Sequence, residues 1–126
     1  MPPLFDAYAI VDWSAASQPT QGANSLWIAT GRRGAEAVTL ANPPTRAAAM
    51  VMLGDWLRQR AARDERVLVG LDFAFGYPAG AARHFAPDEP TWRGVWRRIA
   101  EGIRDDVDNA NDRFQLAQRL NSAFTG

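Results

Sequence analysis

Apolar residues concentrate in two short runs, Tyr8-Ala9-Ile10-Val11 and Val67-Leu68-Val69-Gly70-Leu71, and each run ends on an aspartate, Asp12 and Asp72. Aliphatic runs of this kind predict strands buried on both faces. Between them, Ser25-Leu26-Trp27-Ile28-Ala29-Thr30 alternates as a second strand should, and Ala35 to Leu40 reads as a third. The turn joining those two is Gly31-Arg32-Arg33-Gly34, glycines bracketing two polar residues. With the first strand at about residues 7–12, the three form an antiparallel meander.

Asn42-Pro43-Pro44-Thr45 then breaks the sheet and opens a helix, with Thr45 as its cap. Met50, Leu53, Leu57 and Ala61 make the apolar stripe of that helix, and Arg46, Arg58 and Arg63 fall largely off it. Arg63-Asp64-Glu65-Arg66 closes the helix and leads into the second aspartate-bearing strand. The order is therefore β-β-β-α-β. A helical crossover lays the fourth strand parallel to the first. Asp12 and Asp72 are then expected together at the carboxyl ends of neighbouring strands, where open α/β sheets bind ligands.

Past Asp72 the chain runs through Phe73-Ala74-Phe75-Gly76-Tyr77-Pro78-Ala79-Gly80, an aromatic, glycine-punctuated loop. Pro90 opens a second helix on which Trp92, Val95, Trp96, Ile99 and Ile103 keep helical spacing, with Arg93, Arg97 and Arg104 on the other face. An acidic, asparagine-rich link, Asp105 to Asp112, precedes a last helical pattern through Phe114, Ala117 and Leu120.

Length and a hydrophobic fraction of 47% fit one globular domain over residues 1–126. The chain has no cysteine, which excludes disulfides and thiolate metal sites. It has no apolar run of membrane-spanning length and no signal-peptide pattern at its start, so a cytoplasmic location without membrane contact is expected. Fourteen basic residues balance fourteen acidic ones, and every basic residue is arginine. A GC-rich genome explains that bias most simply. The functional reading is phosphate recognition by guanidinium forks, and with zero net charge such a site has to be local.

Paired strand-end carboxylates suit Mg²⁺ or Mn²⁺, which take oxygen ligands and activate water for phosphoryl chemistry. Asp12 and Asp72 are the candidate metal ligands and catalytic residues; strand-end aspartates also cap turns. Asp105, Asp106, Asp108 and Asp112 are the clustered acids available for a third ligand, although a solvated link and a helix cap account for them better. Ser14 and Ser17 follow Asp12 in a loop that could cradle phosphate, but an early glycine is missing and Trp13 crowds the position. His84 is the sole histidine, a packing or surface residue before a proton shuttle. Trp92 and Trp96 read as core or interface residues, and Phe73, Phe75 and Tyr77 as a cover for the sheet end, before any of them reads as a stacking platform.

Three antiparallel strands, a helix and a parallel strand, with acids on strands one and four, resemble the ribonuclease-H-like fold. Within that superfamily the chain is most similar to an uncharacterised bacterial group of predicted nucleases, some of whose members carry cobalamin or molybdopterin biosynthesis labels. The similarity rests on Ile10-Val11-Asp12-Trp13-Ser14, on Gly70-Leu71-Asp72-Phe73-Ala74-Phe75-Gly76-Tyr77-Pro78, and on Asn111-Asp112-Arg113-Phe114 through Leu120-Asn121. It implies a mixed α/β sheet and a metal-dependent phosphodiester hydrolase, with a nucleic acid or a phosphorylated small molecule as its partner. The alternatives are a non-catalytic ribonuclease-H-like domain that binds a ligand or partner, and an actin-like phosphate-binding enzyme. The family fold has a fifth strand and a further acidic helix that this sequence lacks after Asp72, so it reads as the N-terminal part of a longer protein. Helices alone finishing a four-stranded sheet leave apolar surface uncovered, and Trp92, Trp96, Ile99, Ile103 and Phe114 are the expected contact residues of a homodimer formed through the C-terminal helices.

Overall fold

A computed structural model describes residues 3–74 and 76–122; Phe75 lies outside them. The elements are β1 (Ala7–Asp12), β2 (Trp27–Arg32), β3 (Val38–Ala41), α1 (Arg46–Ala61), β4 (Val67–Leu71), α2 (Ala81–Phe85), α3 (Trp92–Gly102) and α4 (Arg113–Asn121). They belong to two compact units. The first comprises the chain up to Phe73 together with Val107–Asn109, and the second the remainder.

In the first unit the four strands form one mixed sheet in the order β3-β2-β1-β4. β1 is antiparallel to β2, β2 antiparallel to β3, and β4 parallel to β1. The β-β-β-α-β succession read from the sequence is thus the succession of elements that builds this unit. Ala9 and Val11 of β1 and Ile28 of β2, with Leu26, pack against Ala49 and Leu53 of α1, and Trp13, Trp56, Leu57, Val69 and Leu71 complete this core. Thr45 caps α1, its side chain accepting from the Ala48 N–H at 3.1 Å.

Several expectations need correction. β1 and β4 are not buried on both faces: Tyr8, Ile10 and Leu68 are exposed, because α1 covers only the other side of the sheet. The buried stripe of α1 is Arg46, Ala49, Leu53 and Arg60, with Trp56 and Leu57 partly buried, while Met50 and Ala61 face solvent. Arg46 belongs inside because its guanidinium is met by backbone carbonyls. The second and third strands each lie about two residues later than their apolar patterns suggest. Asn42 Nδ2 donates to Ser25 Oγ at 2.7 Å and the Leu26 carbonyl at 2.6 Å, holding that segment as loop, and the turn sits at residues 33–34 with Gly34 at φ 74°.

The open end of the sheet is tied by Asp6. Its carboxylate pairs with Arg66 at 3.1 Å and Arg33 at 3.0 Å and accepts the Arg66 backbone N–H at 3.0 Å. The Arg66 side chain, followed by its backbone N–H, lowers the Asp6 pKa from 3.8 to about 2. A depressed carboxyl pKa contributes stability that is full above the unfolded value and disappears as pH falls through the folded one. Urea midpoints for wild type and Asp6→Asn should therefore differ at neutral pH and converge between about pH 4 and pH 2. A gap that persists at pH 2 would show that the carboxylate charge is not what Asp6 contributes.

In the second unit, α2 has no counterpart in the hydrophobic pattern of the sequence, whereas α3 and α4 fall where the helical spacing puts them. α3 is capped by Thr91, which accepts from the Gly94 N–H at 3.1 Å, and buries Gly94 and Val95. Tyr77 meets Phe85 edge-on at 5.6 Å and Trp96 at 6.5 Å. Gly102 lies against Leu116, the buried residue of α4. Among the described residues no helix is long and apolar enough to cross a membrane.

Candidate functional site

The parallel register of β1 and β4 runs from Ala7 opposite Val67 to Val11 opposite Leu71, so Asp12 and Asp72 come next, side by side at the carboxyl end. Alternation along β1 buries Ala7, Ala9 and Val11 and turns Tyr8, Ile10 and Asp12 outward, and the Asp12 carboxylate is exposed. Asp72 Oδ1 accepts the Trp13 backbone N–H at 2.8 Å. That bond fastens the two strand ends one step past the last ladder pair. The rings of Trp13 and Phe73 meet edge-on at 6.3 Å just beyond it. Neither aspartate is ion-paired among the described residues.

The loop after Asp12 is held from below by the first turn of α1. Arg46 Nη1 donates to the carbonyls of Ala16 at 2.7 Å and Ser14 at 3.2 Å, and Nη2 donates to the Asn109 carbonyl at 2.8 Å. Asn109 replies with its side chain: Oδ1 accepts the Arg46 N–H at 2.8 Å, and Nδ2 donates to Gln18 O at 3.1 Å and Pro44 O at 3.3 Å. Both residues are buried. Asn109 adopts φ 74°, a left-handed conformation that asparagine tolerates better than most residues. The effect is a clamp that fixes residues 14–18 beside the aspartate pair.

Sequence reasoning missed both clamp residues. A signal for Arg46 was present: a cation in the first helical turn faces the positive end of the helix dipole and needs another reason to be there. Asn109 gave none, being one polar residue in a polar link.

No family model, curated protein or solved structure matches this chain.

Several of the remaining candidates have local structural roles. Ser14 Oγ accepts the Ala16 N–H at 3.2 Å, which turns that amide into the loop and away from any anion. Asp112 is the N-cap residue of α4; its Oδ1 accepts the Arg104 N–H at 2.7 Å, and that bond holds its carboxyl below the usual range. Asp106 pairs with Arg104 at 3.4 Å, and the Asp105 backbone forms an isolated antiparallel bridge with that of Asn111. Among the described residues no three His, Asp or Glu side chains are grouped to hold an ion. His84 belongs to the second unit, where it lines a cleft of about 410 Å³ with Arg97, Arg98, Glu101 and Arg119. Charges around that cleft are partly matched, Arg97 with Glu89 at 2.6 Å and Arg119 with Asp112 at 3.4 Å.

The site can therefore offer two carboxylates at adjacent strand ends, a clamped loop following the first and the Trp13–Phe73 ring pair next to them in sequence. Magnesium is commonly held by one or two protein carboxylates, with waters and substrate phosphates filling its octahedron. A two-carboxylate set fits that mode.

Proposed function

We propose that the chain is a ribonuclease-H-like, metal-dependent phosphodiester hydrolase in which Asp12 and Asp72 hold Mg²⁺ or Mn²⁺. The observation that carries this reading is their place, consecutive with the last register pair of two adjacent parallel strands. Bound there, the cation supplies an activated water and positive charge for the phosphoryl oxygens. Asp12 contributes an exposed carboxylate without an ion pair. Asp72 keeps Oδ1 on the Trp13 N–H and has Oδ2 for the ion. The Arg46–Asn109 clamp keeps the neighbouring loop in one conformation, so that the two carboxylates need little rearrangement on binding.

A specific observation favours a second reading, a non-catalytic domain on the same scaffold. The Asp72–Trp13 bond is by itself a sufficient structural role for Asp72, and among the described residues no third acid joins Asp12 and Asp72.

Calorimetry with Mn²⁺ separates the two. Wild type should bind weakly, Asp12→Asn should lose the heat of binding, and Asp72→Asn should lose it while keeping wild-type stability, because an amide oxygen still accepts from Trp13. Asp72→Ala should in addition lose about 1 kcal/mol of stability with its hydrogen bond. Binding that survives in Asp12→Asn and Asp72→Asn removes these residues as ligands and leaves the non-catalytic reading.

A further inference from the structure

Within the first unit, the face of the sheet opposite α1 is apolar and uncovered among the described residues. Register places Tyr8 and Ile10 of β1, Ala29 and Gly31 of β2, Val38 and Leu40 of β3, and Leu68 and Gly70 of β4 on it together. Its large side chains range from 36% exposed at Tyr8 to 65% at Leu40. Among these strand positions the only charge is Asp12, at the carboxyl end. Arg32 lies on the opposite face, where it pairs with Glu65.

We infer that this face is the contact surface of a twofold homodimer in which two copies of the sheet pack against each other. Area is the first argument. Five large apolar side chains with the small residues between them expose on the order of 500 Å², near the upper end of what monomers leave bare. Homodimer interfaces are about 65% apolar. A patch of that size with its polar rim therefore amounts to roughly 800 Å² per partner, the standard size of a stable interface.

Self-complementarity is the second argument. A twofold axis brings a patch onto itself, which a charged surface resists and a neutral one permits. Relief on the face is also suitable. Tyr8, Ile10, Ala29, Gly31 and Val38 line a groove of about 230 Å³, with Arg32 also in its lining. A Cβ on Gly31 would find only Val38 Cγ2, at 3.9 Å, so the floor of the groove is open beside the protruding Leu40. An aliphatic side chain from a second copy fills it, as inward-facing residues interdigitate when two sheets stack about 10 Å apart.

The exposed aromatics of the helices are a poorer surface. Trp92 and Phe114 stand singly on α3 and α4, each with an arginine guanidinium over one face of its ring, Arg93 at 5.6 Å and Arg113 at 4.5 Å. The dimer does not depend on the hydrolase reading, because its readout is mass and not cation binding.

Sedimentation equilibrium of the full chain at micromolar concentration is the test, with Leu40→Lys, Leu68→Lys and a control on the outer face of α1, Met52→Lys. All three positions are exposed in the protomer, so folding should be retained and is checked by circular dichroism. Wild type and Met52→Lys should sediment at twice 13.9 kDa, and each sheet-face variant at 13.9 kDa. A monomeric wild type overturns the inference. So does a dimer that survives both sheet-face lysines, or one that Met52→Lys dissociates while they do not.

Discussion

Arg46→Met should lower the unfolding free energy by about 3 kcal/mol, far more than the few tenths typical of an arginine substitution on a surface. Methionine keeps most of the aliphatic stem but leaves the Ser14, Ala16 and Asn109 carbonyls without the guanidinium that serves them. Each buried acceptor deprived of its donor costs about 1–3 kcal/mol, reduced where water can enter. Arg46→Lys should recover at most about half, since a compact ammonium cannot span carbonyls on two separate segments. Asn109→Ala should also destabilise, and its effect should not add to that of Arg46→Met, with a coupling of about 1–2 kcal/mol between them. Urea titration of the two single variants and the double variant measures all three quantities. An Arg46→Met loss of under about 0.5 kcal/mol would show that the clamp does not hold the loop.

Gly94→Ala should destabilise by about 2–3 kcal/mol, against the sign that helix propensity alone gives. In an open helix, alanine in place of glycine gains about 1 kcal/mol. At Gly94, however, a Cβ would collide with the Glu89 carbonyl oxygen and lie 2.9 Å from the Glu89 Cβ. The turn that supplies this carbonyl cannot easily retreat. Glu89 O accepts the Thr91 N–H at 2.7 Å, the Glu89 side chain pairs with Arg97 at 2.6 Å, and Thr91 is itself the cap of α3. Overpacking against fixed backbone therefore outweighs propensity. Gly54→Ala on α1 is the matching control. There the nearest atom to a new Cβ is Arg58 Nη1 at 3.4 Å, the mobile end of a long side chain. That variant should gain about 0.5–1 kcal/mol. Thermal melts of the two variants should move in opposite directions, and a Gly94→Ala protein that melts above wild type would show that the turn yields.

Much of the sheet was legible because its signals are local. Aliphatic runs ending on Asp12 and Asp72, a glycine turn and a proline-threonine break each depend on a few neighbouring residues, and together they give the strand order and the α1 cap. The adjacency of the strand ends that carry Asp12 and Asp72 was legible as well, since a helical crossover between similar strands leaves few alternatives. Which face of a strand is covered was not. Tyr8, Ile10 and Leu68 have the composition of a two-sided core, and nothing nearby in sequence tells whether a second layer exists. The burial of Arg46 was hidden for the opposite reason. Its partners lie about thirty residues before it and sixty-three after it, so a stripe counted on α1 alone assigns it to solvent. α2 is too short for a periodic pattern to register.

The distance along the chain between the halves of the clamp affects how the protein emerges from the ribosome. β1 to β4 are complete once Asp72 has been made, and domains tend to fold as units while synthesis continues. Residues 14–18 cannot settle at that moment, because Asn109, which belongs to the same unit, has not been added. For the time it takes to translate some thirty-five more residues, a few seconds at about 5–20 residues per second, the nascent sheet carries an unfastened loop and a buried arginine with part of its hydrogen bonding unmet. A chaperone or protease acting during synthesis meets that intermediate, and its window closes when residue 109 docks.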